Sequence, residues 1–174
     1  MDNTWGKDLS DSMIAMNKIK DNYLSKLISG KIHSAENSDV EIVKLLDVVS
    51  GIDYIAEDEH GLRGIATRVQ WCEYPYNTFT IRSERCSGNC TELEKRLYQI
   101  ENGYIYPSLT LQAYFDNRKD NNLLSIGVIK TIDLYKIYQE SPLLFRTNYS
   151  DNQFKSIHWD NLDGYVKTII VKKA

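Results

Sequence analysis

Three residues on two neighbouring segments have the chemistry to handle a phosphodiester. Asp53 opens the run "DYIAED", and Arg68 and Gln70 stand two apart in the run "LRGIATRVQW" that follows. A carboxylate and an amide carbonyl are hard oxygen ligands for Mg²⁺ or Mn²⁺, and a cation so held polarises a phosphoryl group and acidifies a bound water. A guanidinium stabilises developing negative charge but cannot act as a base. Asp53 and Gln70 are therefore the candidate metal ligands and Arg68 the charge-stabilising group. Each also has a structural role to play: Asp53 as a solvated strand end, Arg68 and Gln70 as ordinary residues of a half-exposed strand.

Further candidates flank these. Lys95 in "TELEKR" can supply an ammonium to the same chemistry, although it also reads as a first-turn charge on a solvated helix face. Arg82 and Arg85 are candidate phosphate binders, or partners for Glu84 or Glu92. Gln112, on the otherwise apolar "LTLQAYF", is either a paired inward polar group or a substrate-binding residue. Glu41 follows Ser38 by three residues, a spacing that a helix capping box alone explains. Cys86 and Cys90 have a spacing found in some zinc knuckles, but no second close pair completes a site and His33, His60 and His158 are scattered, so small thiols in a loop are the better reading. No glycine-rich nucleotide loop and no serine nucleophile elbow is present.

These residues need elements to hold them. Leu9, Met13, Met16, Tyr23 and Leu27 fall near helical spacing over 8–28, with Gly30 as a stop. A second helix is expected at 38–50, closed by Gly51 in the left-handed position. Segments 52–57, 62–71 and 77–84 are rich in β-branched and aromatic residues and read as strands. A helix at 91–102 opens on Thr91 as its cap and ends at Gly103. Strands follow at 108–115 and 123–130 around the polar turn "DNRKDNN", then a short helix from Thr131 to Ser141-Pro142, then two or three more strands. Along 62–71, Arg68 and Gln70 share one side, whereas the turn "EDEHG" does not fix whether Asp53 joins them.

From Ser38 to Phe115 the order is helix, three strands, helix, strand. This order resembles the core of the restriction-endonuclease-like fold, the PD-(D/E)XK nuclease superfamily, over the middle half of the chain. "GID" at 51–53 is similar to that superfamily's acid at a strand start, and "TRVQW" at 67–71 lies where it carries acid-x-lysine. Gln70 stands in place of the second acid and Cys72 in place of the lysine, which Lys95 would replace from the second helix. The resemblance implies an α/β (α+β mixed) fold with a central mixed β-sheet flanked by helices. The sheet would hold the strands at 52–57, 62–71, 77–84 and 108–115, covered by the helices at 38–50 and 91–102. It implies one domain: an N-terminal helical extension at 1–37, a nuclease-like core at 38–115 and extra C-terminal strands within an α/β elaboration at 116–174. It implies metal-dependent hydrolysis of a nucleic acid, with Asp53, Gln70, Arg68, Lys95 and Glu41 at the catalytic centre. The departed motif equally suits an inert module that binds a nucleic acid or a protein partner.

Composition sets the outer bounds. With 174 residues, 42% hydrophobic and 26% charged, the chain has the makings of one globular domain. No apolar run is long enough to cross a membrane, and the acidic start lacks the pattern of a signal peptide, so a cytoplasmic protein is expected. The net charge of −3 gives no overall attraction to nucleic acid. Its distribution is uneven: residues 1–59 hold 6 Lys/Arg against 12 Asp/Glu, and residues 60–174 hold 15 against 12. An acidic front end and a mildly basic remainder permit a local phosphate-binding face without establishing one.

Overall fold

The hairpin of β2 (Tyr54–Asp58) and β3 (Gly61–Trp71) is the seed of the architecture, paired from Tyr54 opposite Ile65 to Asp58 opposite Gly61. The structure, a computed structural model, describes residues 4–35, 39, 41–148 and 152–171. β1 (Lys31–Ser34) adds to the outer side of β2. On the other side β3 runs parallel to β5 (Leu109–Phe115), which pairs antiparallel with β6 (Leu123–Lys130), itself flanked by β9 (Val166–Ile170). The result is a mixed six-stranded sheet in the order β1-β2-β3-β5-β6-β9. The parallel step needs a crossover, which α4 (Glu92–Glu101) supplies between β3 and β5.

Strand β4 (Thr78–Arg82) corrects the expectation that 77–84 belongs to this sheet. It pairs instead with β8 (Phe154–His158), which also pairs with β7 (Arg146–Asn148), in a separate three-stranded antiparallel sheet. The alternation of Phe79 and Ile81 requires a covered face but does not say which sheet covers it. Here Phe79 stands opposite Ile157, and both are buried.

Two cores result, one on each side of the large sheet. Along β5, Leu111, Ala113 and Phe115 enter the first core, while Tyr114 enters the second and Gln112 lies on its side. The first core is closed by α1 (Thr4–Ile19), which continues through a π turn (Lys20–Leu24) into α2 (Ser25–Leu27). Ala15, Met16, Ile19, Leu24 and Leu27 are buried there. On a regular helix the five-residue step from Ile19 to Leu24 would rotate Leu24 by about 140° off the buried face, and the wider π turn absorbs that rotation. The side chain of Leu9 lies outside the described residues, and Tyr23 packs at the margin of this core.

The second core joins Tyr114, Leu124 and Ile129 of the large sheet to Phe79, Ile81 and Ile157 of the small one. Helix α4 contributes Leu93 and α5 (Thr131–Glu140) contributes Leu134 and Tyr135. Helix α4 begins as expected: Thr91 accepts from the Glu94 backbone and the Glu94 carboxylate accepts from Thr91 in return. Helix α3 (Glu41–Ser50) departs from expectation. Its Leu45, Val48 and Val49 are exposed rather than laid on the sheet. Its C-terminal turn is held through carbonyls, with Val48, Val49 and Ser50 accepting from Lys95, Gln99 and Arg96. Gly51 takes the left-handed conformation (φ 64°) that ends the helix, whereas Ser38 of the expected capping box lies outside the described residues. Among the described residues, no helix is long and apolar enough to cross a membrane.

Candidate functional site

Strand β3 reaches two hollows at once. Arg68 and Gln70 alternate onto its second-core side, aligned in register with Gln112 and Tyr114 of β5. Arg68 Nη2 donates to Glu92 Oε2 at 2.7 Å, joining the sheet to the first turn of α4. Its guanidinium also lies over the Phe154 ring of β8, 5.0 Å from the centroid, and that of Arg82 lies 5.4 Å from the same ring. The π-face of Phe154 therefore stabilises both guanidinia.

Around this arrangement lies a pocket of about 250 Å³ with a pronounced charge imbalance. Arg68, Arg82, Arg85, Lys95 and Arg96 line it against two carboxylates, Asp53 and Glu92. Burial pulls the Arg82 guanidinium below its ordinary range, and Arg68 and Arg85 add to the effect while Glu92 opposes it. Burial also lowers the Lys95 ammonium, with Arg96 as the next cause. Three of the five cations are tied to protein oxygens. Arg68 is held by Glu92, Arg96 by the Ser50 carbonyl at 2.6 Å and Gln99 at 2.8 Å, and Lys95 by the Val48 carbonyl at 3.2 Å. The Nε groups of Arg82 and Arg85, in contrast, are buried without a hydrogen-bond partner among the described residues. Buried guanidinium donors left unsatisfied are costly.

Asp53 occupies the rim between this pocket and a smaller hollow beneath α1, lined by Met13, Met16 and Val69. Its Oδ2 accepts from the Thr67 amide at 2.5 Å and the Thr67 hydroxyl at 2.9 Å. Burial nevertheless pushes its pKa up to about 6; the Thr67 bonds oppose the rise, and Asp47 and Glu92 add to it by repulsion. A protonated Asp53 would make the pocket still more positive.

Gln70 faces elsewhere. Its Oε1 accepts from Gln112 Nε2 at 3.1 Å, and Gln112 Oε1 accepts from the Thr80 hydroxyl at 3.1 Å. It lines a larger groove of about 700 Å³ with Tyr76, Thr78, Thr80 and Phe154, and this groove does not include Asp53. Gln112 is the paired, buried polar group of the two readings open to it. Glu41 lies beside Lys44, Leu45 and Val48 in a separate shallow hollow on α3. The structure thus gathers Asp53, Arg68, Arg82, Arg85 and Lys95, and sets Gln70, Gln112 and Glu41 apart from them.

A hard dication fits this donor set poorly. The pocket's two carboxylates, the usual number that proteins give Mg²⁺, are already bonded to Thr67 and Arg68 and stand among five cations that repel a metal ion. Among the described residues no three His, Cys, Asp or Glu side chains are grouped to hold a metal. Cys86 and Cys90 are exposed thiols, and Cys90 borders the basic pocket.

Sequence reasoning passed over three residues here: Glu92 as the Arg68 partner, Arg96 as a buried cation, and Phe154 as the ring beneath two guanidinia. The spacing of Glu92, Lys95 and Arg96 by three and four positions marks one helix face and could have linked them. Nothing near Phe154 in the sequence connects it to Arg68. Comparison with models of protein families, with curated proteins and with solved structures finds no match for this chain.

Proposed function

We propose that this chain is a binding module that seats a backbone phosphate of a nucleic acid in the basic pocket without cutting the strand. The observation that carries the reading is the charge imbalance of the pocket, five cations lining it against two carboxylates. Guanidinia present planar forks of donors suited to phosphate oxygens, and Lys95 adds a point charge. With a net charge of −3, attraction must come from this local field rather than from the whole surface. The helix-strand-strand order of α3, β2 and β3, with α4 crossing to β5, supports a nuclease-like core, and the scarcity of free carboxylate favours binding over catalysis.

Hydrolysis is the competing reading, because Asp53, Glu92 and Lys95 line the same pocket. One experiment decides between them. Purified protein is titrated into labelled single- and double-stranded DNA and RNA by fluorescence anisotropy, and the same mixtures are run on gels with Mg²⁺, Mn²⁺ or chelator. Metal-independent binding that weakens as salt rises, with intact strands throughout, is the expected result. Cleavage in Mn²⁺ that disappears in Asp53→Asn would replace the binding reading with the catalytic one. Absence of any salt-dependent binding would remove both.

A further inference from the structure

The groove beside the basic pocket has the chemistry of a seat for the base that belongs to the bound phosphate. We propose that it takes an unpaired nucleobase, making the ligand a single strand rather than a duplex; this rests on the phosphate reading above. Phe154 connects the two hollows, because it lines the groove while Arg68 and Arg82 lie against its ring. Strand β3 sets the spacing. Arg68 lines the pocket and Gln70 lines the groove, two residues apart on one face, a separation of about 6.6 Å at the usual rise of a strand. The pocket and the groove are therefore neighbours on one face of the strand.

The groove walls suit a base rather than a second phosphate. Among the described residues the lining contains no carboxylate and one cation, Arg146, and is otherwise made of amides, hydroxyls, rings, His158 and Leu144. Tyr76 offers a stacking surface: it is 65% exposed, yet its ring is braced by Tyr114 at a centroid distance of 6.2 Å and an interplanar angle of 70°. Tyr114 is itself anchored, with its hydroxyl bonded to the Thr78 side chain at 2.9 Å and donating to the Thr78 carbonyl at 3.0 Å. A ring held in place stacks at small entropic cost. Gln70 is held by Gln112 and presents a neutral hydrogen-bonding group to a base edge. Base pairing would hide that edge, so a duplex gains nothing from the groove.

The test separates the base from its phosphate. Anisotropy titrations compare an oligothymidylate with an abasic strand of equal length and phosphate count, and with a duplex, at one salt concentration. The single strand should bind at least fivefold more tightly than either. Tyr76→Ala should lower oligothymidylate affinity about fivefold or more, the loss of one stacked base, and leave abasic binding unchanged. Tyr76→Phe, which keeps the ring, should restore it, and circular dichroism checks that both variants fold. Equal affinity for base-bearing and abasic strands, or a Tyr76→Ala loss common to both, would overturn the base seat and leave the phosphate site standing. Failure to bind either strand would overturn the phosphate site as well.

Discussion

Arg68 and Glu92 are joined at 2.7 Å across the junction of the central sheet and α4, with side chains 24% and 27% exposed. The pair uses one cation and one carboxylate of the pocket on each other. Asp53 is then the remaining acid of the pocket, against Arg82, Arg85, Lys95 and Arg96.

Replacing Glu92 by glutamine should strengthen anion binding while weakening the fold. The substitution removes negative charge from the pocket, so affinity for a labelled strand should rise about threefold to tenfold at low salt. Loss of the half-buried pair should cost about 1 kcal/mol, seen as a lower midpoint in urea. Weaker strand binding by Glu92→Gln would show instead that Glu92 takes part in holding the ligand.

Arg82→Ala and Arg85→Ala should each weaken binding to a similar degree for all sequences. Each should also reduce the slope of log affinity against log salt by about 0.7, the counterion release expected for one phosphate contact on a single strand. Titrations between about 50 and 200 mM salt measure that slope. An unchanged slope would place these arginines outside the contact.

Asp53 should give stability an unusual pH dependence. Its folded pKa of about 6 lies above the ordinary 3.8, so the folded state holds this proton more tightly than the unfolded one. The contribution is complete below the ordinary value and is lost as pH rises through about 6, the reverse of an ion-paired carboxylate. Asp53→Asn should abolish that slope and raise stability at pH 7.5 by up to about 3 kcal/mol, since the two values lie about two tenfold steps apart and each corresponds to roughly 1.4 kcal/mol. Strand affinity should rise as wild-type protein is acidified through the same range and stay flat in the variant. Melting curves and titrations at pH 5 and 7.5 check both outcomes; a destabilised Asp53→Asn at pH 7.5 would contradict them.

Gly127 on β6 should tolerate no side chain. A Cβ there would lie 2.7 Å from two carbons of the Trp159 ring. Trp159 is buried, with the Phe79 and Tyr114 rings at 5.8 and 6.0 Å, so it has little room to yield. Gly127→Ala should cost about 1–3 kcal/mol through overpacking, read as a fall in thermal midpoint.

What the sequence made legible follows the range of the interactions involved. The α4 cap at Thr91, the turn at Gly51 and the alternation of Leu111, Ala113 and Phe115 depend on neighbours a few residues away, and periodicity reveals them. The sheet to which Phe79 and Ile81 belong depends on Ile157, and nothing local to 77–84 encodes that choice. Asp53 and Gln70 lie near enough in sequence to suggest a shared site, but Gln112 draws Gln70 toward the groove while Thr67 holds Asp53 at the rim. Arg68, Arg82 and Arg85 were visible singly, but nothing local linked Arg68 and Arg82 to the Phe154 ring they share.

The interleaving of the two sheets has a consequence for how the protein is made. β4 leaves the ribosome early, between β3 and α4, yet its partner β8 follows only after β5, β6, α5 and β7. Throughout that interval Phe79 and Ile81 have no strand to cover them, and the nascent chain carries an unfinished, sticky edge. Phe154, whose ring lies against Arg68 and Arg82, arrives on that same later strand. A growing polypeptide therefore carries Arg68 and Arg82 well before the ring on which both guanidinia come to lie.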